Sequence, residues 1–300
     1  MREVRWERMF PDELELAFKA YPLVYLPYGI CEPHGPQSAL GLDGLKAHSI
    51  CCLAARRFGG IVAPPDYWHI HECGGYAVWA EQRIGEARPW MTAVPPWVHF
   101  KNICYHIRAV DALGFHAAIL LTGHYGPNWE DLKVLIQVLQ PHFAMRIYGL
   151  PDFEANQPGF DAGVETGDHA DKIETSLLWA VEPDCVDMSR LPRKDEPGPH
   201  FGMGLTAFKS NRKTGERMVE DEVRWLGAKA QELLSEFAES QLALEQRRPL
   251  SFGDIERIWN DELKLRIKDF ASMRELFDDQ QGGPSTQSRW QLNWRIPEDV

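Results

Sequence analysis

Residues 23–43 read LVYLPYGICEPHGPQSALGLD. Four apolar, β-prone residues, Leu23, Val24, Tyr25 and Leu26, run up to Pro27, which lacks a backbone donor and is expected to end the strand. A loop of glycine, proline and small polar residues follows. It carries Glu32 and His34, and Asp43 stands where a helical pattern begins. Two carboxylates and an imidazole beyond a buried strand form an oxygen and nitrogen donor set suited to zinc, manganese or iron. A carboxylate has two oxygens, so Asp43 is able to bridge two ions. Singly, each residue has a plainer reading: Asp43 as the N-cap of the next helix, His34 as a loop histidine, Glu32 as a solvated charge. Their combination with two later stretches, 122–128 and 168–176, points to a metal centre.

Working outward, residues 44–58 read as a helix stopped by Gly59 and Gly60, and 61–65 as a short strand. Ala117 to Thr122, AAILLT, is a continuous apolar run of the kind buried on both faces of a parallel sheet. Helix patterns occupy 97–113, 129–139 and 173–181, and Met145 to Leu150 is another strand. In the second of these helices Leu132, Leu135, Ile136 and Leu139 form one stripe. Strands alternating with helices imply an α/β fold with a mostly parallel sheet between two helical layers. Ligands gather beyond the carboxyl ends of such strands. The loops after 23–26 and 117–122 leave that same edge and are able to converge.

The remaining stretches are less regular. An amphipathic helix is expected from about Pro11, in PDELELAFKA. Residues 66–96 show no clear periodicity but are rich in aromatic residues, glycine and proline, as binding loops, lids or oligomer contacts often are. Residues 190–215 read as loop and 216–247 as a long charged helix. The pattern changes after Arg248: residues 252–270 read as helical and the rest as loop.

Composition excludes several classes. The 300 residues are 44% apolar and 25% charged, ordinary for a globular chain, and the net charge is −12. That charge argues against nucleic acid as a partner, since phosphate binding needs a basic surface. The N-terminus is charged rather than signal-like, and no apolar run reaches the length of a membrane span. The six cysteines include no CxxC pair, so a cytoplasmic protein with reduced thiols is expected. There is no G-x-G-x-x-G after a strand, no phosphate-binding loop motif and no G-x-S-x-G elbow.

Three ordered signatures carry a family resemblance. Pro27, Gly29, Glu32, His34, Gly35, Pro36 and Asp43 have the spacing P-x-G-x-x-E-x-H-G-P followed by an Asp. Gly123 and His124 close the strand in LLTGHYGPN, and DHADKIETS supplies Asp168, His169, Ala170, Glu174, Thr175 and Ser176. The chain resembles the creatininase (creatinine amidohydrolase) family over roughly residues 20–225. The resemblance implies a creatininase-like metallohydrolase domain over 1–247, with 248–300 an extension packed on it or on a neighbouring subunit. It implies a homo-oligomer, a hexamer in many members, acting on a small molecule without nucleic acid or membrane. It also implies two divalent metals per chain (zinc, manganese or iron). Glu32 and His34 would each bind one ion, Asp43 would bridge, and His124 would join Glu32. Family members supply a further carboxylate two residues after the second-signature histidine. This chain has Gly126 there, so Glu174 is the expected replacement and Glu130 a poorer one. His169 matches the family's catalytic histidine, which passes a proton to the leaving nitrogen, or else orients a ligand. Glu174 is grouped with it as catalytic, and Asp168 is its expected orienting acid or a plain loop acid.

The implied activity is metal-assisted hydrolysis of a non-peptide, cyclic or otherwise, C–N amide bond. Creatinine itself is not expected. Creatininases proper carry tryptophans in the loop before the third signature, whereas residues 150–167 offer Phe153 and Phe160. Two other readings stand beside it: a mononuclear metal-dependent lyase or isomerase on a small polar metabolite, and a non-catalytic protein with the same fold.

Overall fold

The computed structural model describes residues 2–126, 128–156, 168–240, 248–267, 269–273 and 282–297. Its helices and strands, in chain order, are α1 (Pro11–Ala20), β1 (Leu23–Tyr28), α2 (Leu42–Phe58), β2 (Ile61–Val62), β3 (His69–Ile70), α3 (Gly75–Arg83), β4 (Ala93–Val94), α4 (Pro96–Ala112) and β5 (Ala117–Thr122). Then follow α5 (Asn128–Leu139), β6 (Arg146–Pro151), α6 (Lys172–Val181), α7 (Arg212–Glu239), α8 (Phe252–Ile258) and α9 (Lys264–Ile267). A π-helical turn over Trp259–Leu263 joins the last two.

The central sheet is parallel throughout, in the order β2-β1-β5-β6, with Tyr28 paired to Thr122 and Thr122 to Pro151 at its carboxyl edge. Period-two alternation divides the strand residues between two helical layers. Leu23, Tyr25, Ala117, Ile119 and Leu121 pack against Ile50 and Ala54 of α2, Leu177 of α6 and Leu226 of α7. Val24, Leu26, Tyr28, Ala118 and Leu120 face Phe100 and Ile103 of α4 and the Leu132, Leu135, Ile136 and Leu139 stripe of α5. The three-layer α/β/α fold is thus present, with every residue of β1 and β5 buried.

Three sequence expectations change. β1 does not stop at Pro27. The Tyr25 and Pro27 carbonyls accept from Ala63 and Asp66, so both residues point to the β2 side. β2 has already ended there, so the missing Pro27 N–H breaks no rung with β5. Residues 66–96 are not irregular: they form β3, α3 and β4, with β3 and β4 paired parallel. Two-residue strands are too short to alternate. α3 buries Tyr76, Ala77, Val78 and Ala80 together, so it shows little of an apolar stripe. Finally, α2 starts at Leu42 with Gly41 as its N-cap, so Asp43 lies inside the helix and does not cap it.

Residues 252–267 and Phe270 fold back onto the main core: Ile255, Ile258, Trp259, Leu263 and Phe270 share it with α4 and α5. Further on, Trp290 and Trp294 pack on Ala77, Val78 and Ala80 of α3 and on Ile84 just after it. Of the expected long helix, 241–247 lie outside the described residues, as does Phe160. Among the described residues no helix is long and apolar enough to cross a membrane.

Candidate metal centre

The parallel pairing of β1 and β5 sends both following loops off one edge, and the Gly123 N–H donates to the Tyr28 carbonyl at 2.9 Å. The first turn of α2 wedges between these loops. A Cβ on Gly29 would strike the Gly44 nitrogen, and one on Gly123 the Asp43 carbonyl oxygen. Only residues without a side chain let the helix end approach both strands this closely. Glu32, His34, Asp43 and His124 therefore meet in the interior, none more than 4% exposed. α6 brings Glu174 to the same place, and the turn before it brings His169.

The donor atoms lie close together. His124 Nδ1 is 2.8 Å from Glu32 Oε1 and 3.2 Å from Asp43 Oδ2. His34 Nε2 is 3.1 Å from Asp43 Oδ1 and 3.6 Å from Glu174 Oε2. His169 Nδ1 is 3.9 Å from Glu32 Oε1. The far nitrogen of each imidazole meets a main-chain carbonyl: His34 Nδ1 the Glu32 carbonyl at 3.0 Å, His124 Nε2 that of Ile70 at 3.1 Å, His169 Nε2 that of Pro33 at 2.9 Å. A carbonyl only accepts, so each far nitrogen carries the proton. The near nitrogen of a neutral ring then turns a lone pair on carboxylate oxygens. Lone pairs facing lone pairs in a buried site require positive charge between them, from protons on the rings or from a cation.

Potential donors assemble into Glu32, Asp43 and His124; into His34, Asp43 and Glu174; and into Glu32, His34 and His169. The first two sets share Asp43. Both oxygens of Glu32, both of Asp43 and His34 Nε2 are buried without a hydrogen-bond partner. These orphaned atoms are the ones a divalent ion would satisfy, and imidazole with carboxylate suits zinc or manganese. Tying the outer nitrogen to a carbonyl is also how metal-binding histidines are usually oriented. Without an ion, burial opposes protonation of His34 and His124, but Asp43 with Glu174 and Glu32 around the first, and Glu32 with Asp43 beside the second, outweigh it. His34 is raised to about 9 and His124 to about 10. Burial opposes the charges on Glu32 and Asp43 too, yet the surrounding imidazoles hold both below the usual carboxylate range. For His169 burial dominates and lowers its pKa, keeping the ring neutral.

Other sequence expectations sort as follows. Glu174 belongs to the first turn of α6 and also to the cluster: its Oε2 accepts from the Ala170 N–H at 2.8 Å and faces His34. Asp168 does not orient His169. Its carboxylate accepts the Ile173 and Glu174 N–H groups at the start of α6, and burial raises its pKa to about 7. Glu130 is exposed on α5 and away from the cluster.

Two participants were not legible in the sequence as such. His71, from the segment without periodicity, accepts the Glu72 N–H at Nδ1, so its Nε2 carries the proton that faces Glu32 Oε2 at 3.3 Å. Lys46, fully buried on α2, pairs with Glu174 at 2.8 Å and Asp152 at 3.1 Å. Its signal was its place one turn after Asp43 in an otherwise apolar stripe. α3 adds an aromatic wall: the Trp79 ring stands edge-on to His169 at 4.6 Å, and Tyr76 stacks on His124 at 6.1 Å.

A family described as creatinine amidohydrolase (creatininase) matches residues 7–228. A creatinine amidohydrolase of Pseudomonas putida is 24% identical over 201 residues, spanning 59% of this chain and 74% of that protein. Among solved structures, a creatinine amidohydrolase (creatininase) superposes with a TM-score of 0.62 at 22% identity, covering 80% of this chain and all of that one. A manganese form of creatininase gives a TM-score of 0.60 at 22% identity, and a zinc–zinc form of a variant creatininase 0.60 at 21%. Each covers 77% of this chain and 98% of the other.

Proposed function

The chain belongs to the creatininase family, and from that premise we propose that it is a metal-dependent amidohydrolase acting on a small, non-peptide C–N amide bond. The observation that carries the reading is the arrangement of His34, His124 and His169. Each is fixed by its outer nitrogen to a main-chain carbonyl, with its inner nitrogen turned on buried carboxylates. Glu32, Asp43 and His124 would hold one divalent ion, and His34, Asp43 and Glu174 a second, zinc or manganese in each. When bound, such ions acidify a water and polarise a carbonyl.

The protein groups supply the rest. His71 Nε2 faces Glu32 Oε2 at 3.3 Å and would orient that carboxylate. His169, neutral and protonated on Nε2, offers Nδ1 as a base. It takes a proton from the attacking water as the C–O bond forms and returns it to nitrogen as the C–N bond breaks. Trp79, pressed on His169, excludes water from one side of that exchange. The substrate differs from creatinine in this reading: the aromatic wall comes from α3, and residues 150–167 contain no tryptophan.

Metal analysis by mass spectrometry, on protein purified without chelator, tests the centre. The wild type is expected to carry zinc or manganese, and His34→Ala, Asp43→Ala and His124→Ala to lose it while keeping their circular dichroism spectra. Full occupancy in all three variants would sink the assignment. His169→Asn is expected to keep its metal yet release amine from a panel of cyclic amides and formamides about 100-fold or more slowly than wild type.

A further inference from the structure

The two halves of the centre are unlike in one respect that the donor types do not reveal. Lys46 lies one turn beyond Asp43 on α2 and is fully buried. Its Nζ is 2.8 Å from Glu174 Oε1, 2.8 Å from the Tyr125 hydroxyl and 3.1 Å from Asp152 Oδ2, and it sits 4.0 Å from the centre of the Tyr125 ring. The opposite oxygen of Glu174 accepts the Ala170 N–H and faces His34. Glu174 therefore already has an ammonium group against one oxygen, shared with Asp152. In the other half, Glu32 has no fixed cation among the described residues, only imidazoles.

Among the described residues, the carboxylates within 4 Å of His34 Nε2 are those of Asp43, Glu174 and Glu32. The position two residues after His124 is Gly126, at φ +75°, and a Cβ there would come within 2.5 Å of the Tyr76 hydroxyl oxygen. Tyr76, held by Asn128 at 2.9 Å, occupies the room a side chain would need. This chain thus has a glycine at 126 and a buried ammonium, Lys46, against Glu174.

We propose that Lys46 makes the metal centre asymmetric: the Glu32, Asp43 and His124 half takes a divalent ion tightly, while the His34, Asp43 and Glu174 half, where Lys46 already stands as resident positive charge, takes one only weakly. Repulsion between the ammonium and an incoming dication in a buried site supplies the difference. Lys46 is in this sense a positioning residue for Glu174. The proposal rests on the metal-centre reading above.

Titration of chelator-treated, full-length protein with manganese alone, followed by calorimetry, tests it. Wild type is expected to bind about one equivalent tightly and a second about 100-fold more weakly. Lys46→Met is expected to tighten the second at least tenfold and to leave the first within about threefold. Should that variant fail to fold, Lys46→Gln keeps a hydrogen-bond donor toward Glu174 without the charge and carries the same expectation. Two equal equivalents in wild type would overturn the asymmetry while leaving the metal-centre reading intact. A folded variant with lower stability but an unchanged second affinity would also overturn it, since that is what a merely structural Lys46 gives. No binding in either half would overturn both readings.

Discussion

Asp43 is held in place by two glycines, each the residue just after a different strand. Gly29 and Gly123 leave room for the main chain of α2 at Gly44 and Asp43, so the shared carboxylate is positioned by backbone contact. Gly123→Ala is expected to push the start of α2 away and to weaken metal binding at least tenfold in a folded protein; unchanged affinity would separate Asp43 from that contact. His71→Phe removes the imidazole that faces Glu32 and is expected to cost 10- to 100-fold in metal affinity, in line with outer-shell substitutions generally. Protonation adds a pH signature. In the metal-free protein His34 and His124 are raised to about 9 and about 10, above the unfolded value of roughly 6.5. Their contribution to stability is thus fully present below pH about 6.5 and is lost as pH rises through 9 and 10. Metal-free protein should melt at a lower temperature at pH 9.5 than at pH 6.5, and metal-loaded protein, whose rings are occupied, should show a smaller drop. Parallel pH profiles would remove protons from the site.

At the scale of elements, α3 is the wall of the centre, and it is backed by the end of the chain. Trp290 and Trp294 are buried against its outer side, Trp290 Nε1 donates to the Gly85 carbonyl at 2.8 Å, and the Gly74 N–H donates to the Trp294 carbonyl at 2.9 Å. The inner side presents Tyr76 and Trp79 to the histidines. Trp290→Ala is expected to destabilise the protein by about 3–5 kcal/mol in chemical denaturation, as cavities left by large aromatics do. Because α3 carries Trp79 onto His169, hydrolysis should fall while metal content is retained. If stability drops but hydrolysis survives, the tail supports the fold alone. This coupling was not legible beforehand. Residues 66–96 lacked a period because α3 is buried on several sides, and nothing local to 284–294 names the helix it will meet.

Across the whole molecule, the centre concentrates buried charge. Glu32, Asp43 and Glu174 lie within one cluster, with Lys46 as its buried ammonium and Asp152 beside it, while the chain as a whole is at −12. Buried carboxylates that lack a counter-charge oppose folding. Any ion that binds only the folded state adds stability by mass action, about 2.7 kcal/mol at a concentration 100 times its Kd. Chelation is accordingly expected to lower the melting temperature, and zinc or manganese to restore it, whereas magnesium, which disfavours imidazole, restores little. Equal melting temperatures with and without chelator, on protein shown to be metal-loaded at the start, would refute a folding-coupled centre.

The amino-acid sequence alone determined the parallel sheet, the alternation of layers and the convergence of two loops at one edge. These follow from periods of two and 3.6 residues and from turn residues, all written locally. It also determined the candidate donor types at Glu32, His34 and Asp43, which one motif keeps within short spacings, and at His124, which follows the strand 117–122. The tertiary structure decided what lies against them. It put Glu174 opposite His34, set Lys46 beside Glu174 across 128 residues of sequence, brought His71 to Glu32 and laid Trp290 on α3. Contacts of that range depend on how whole layers pack and leave no period in the chain. The strength of a buried charge likewise depends on its partners in space more than on its neighbours in sequence.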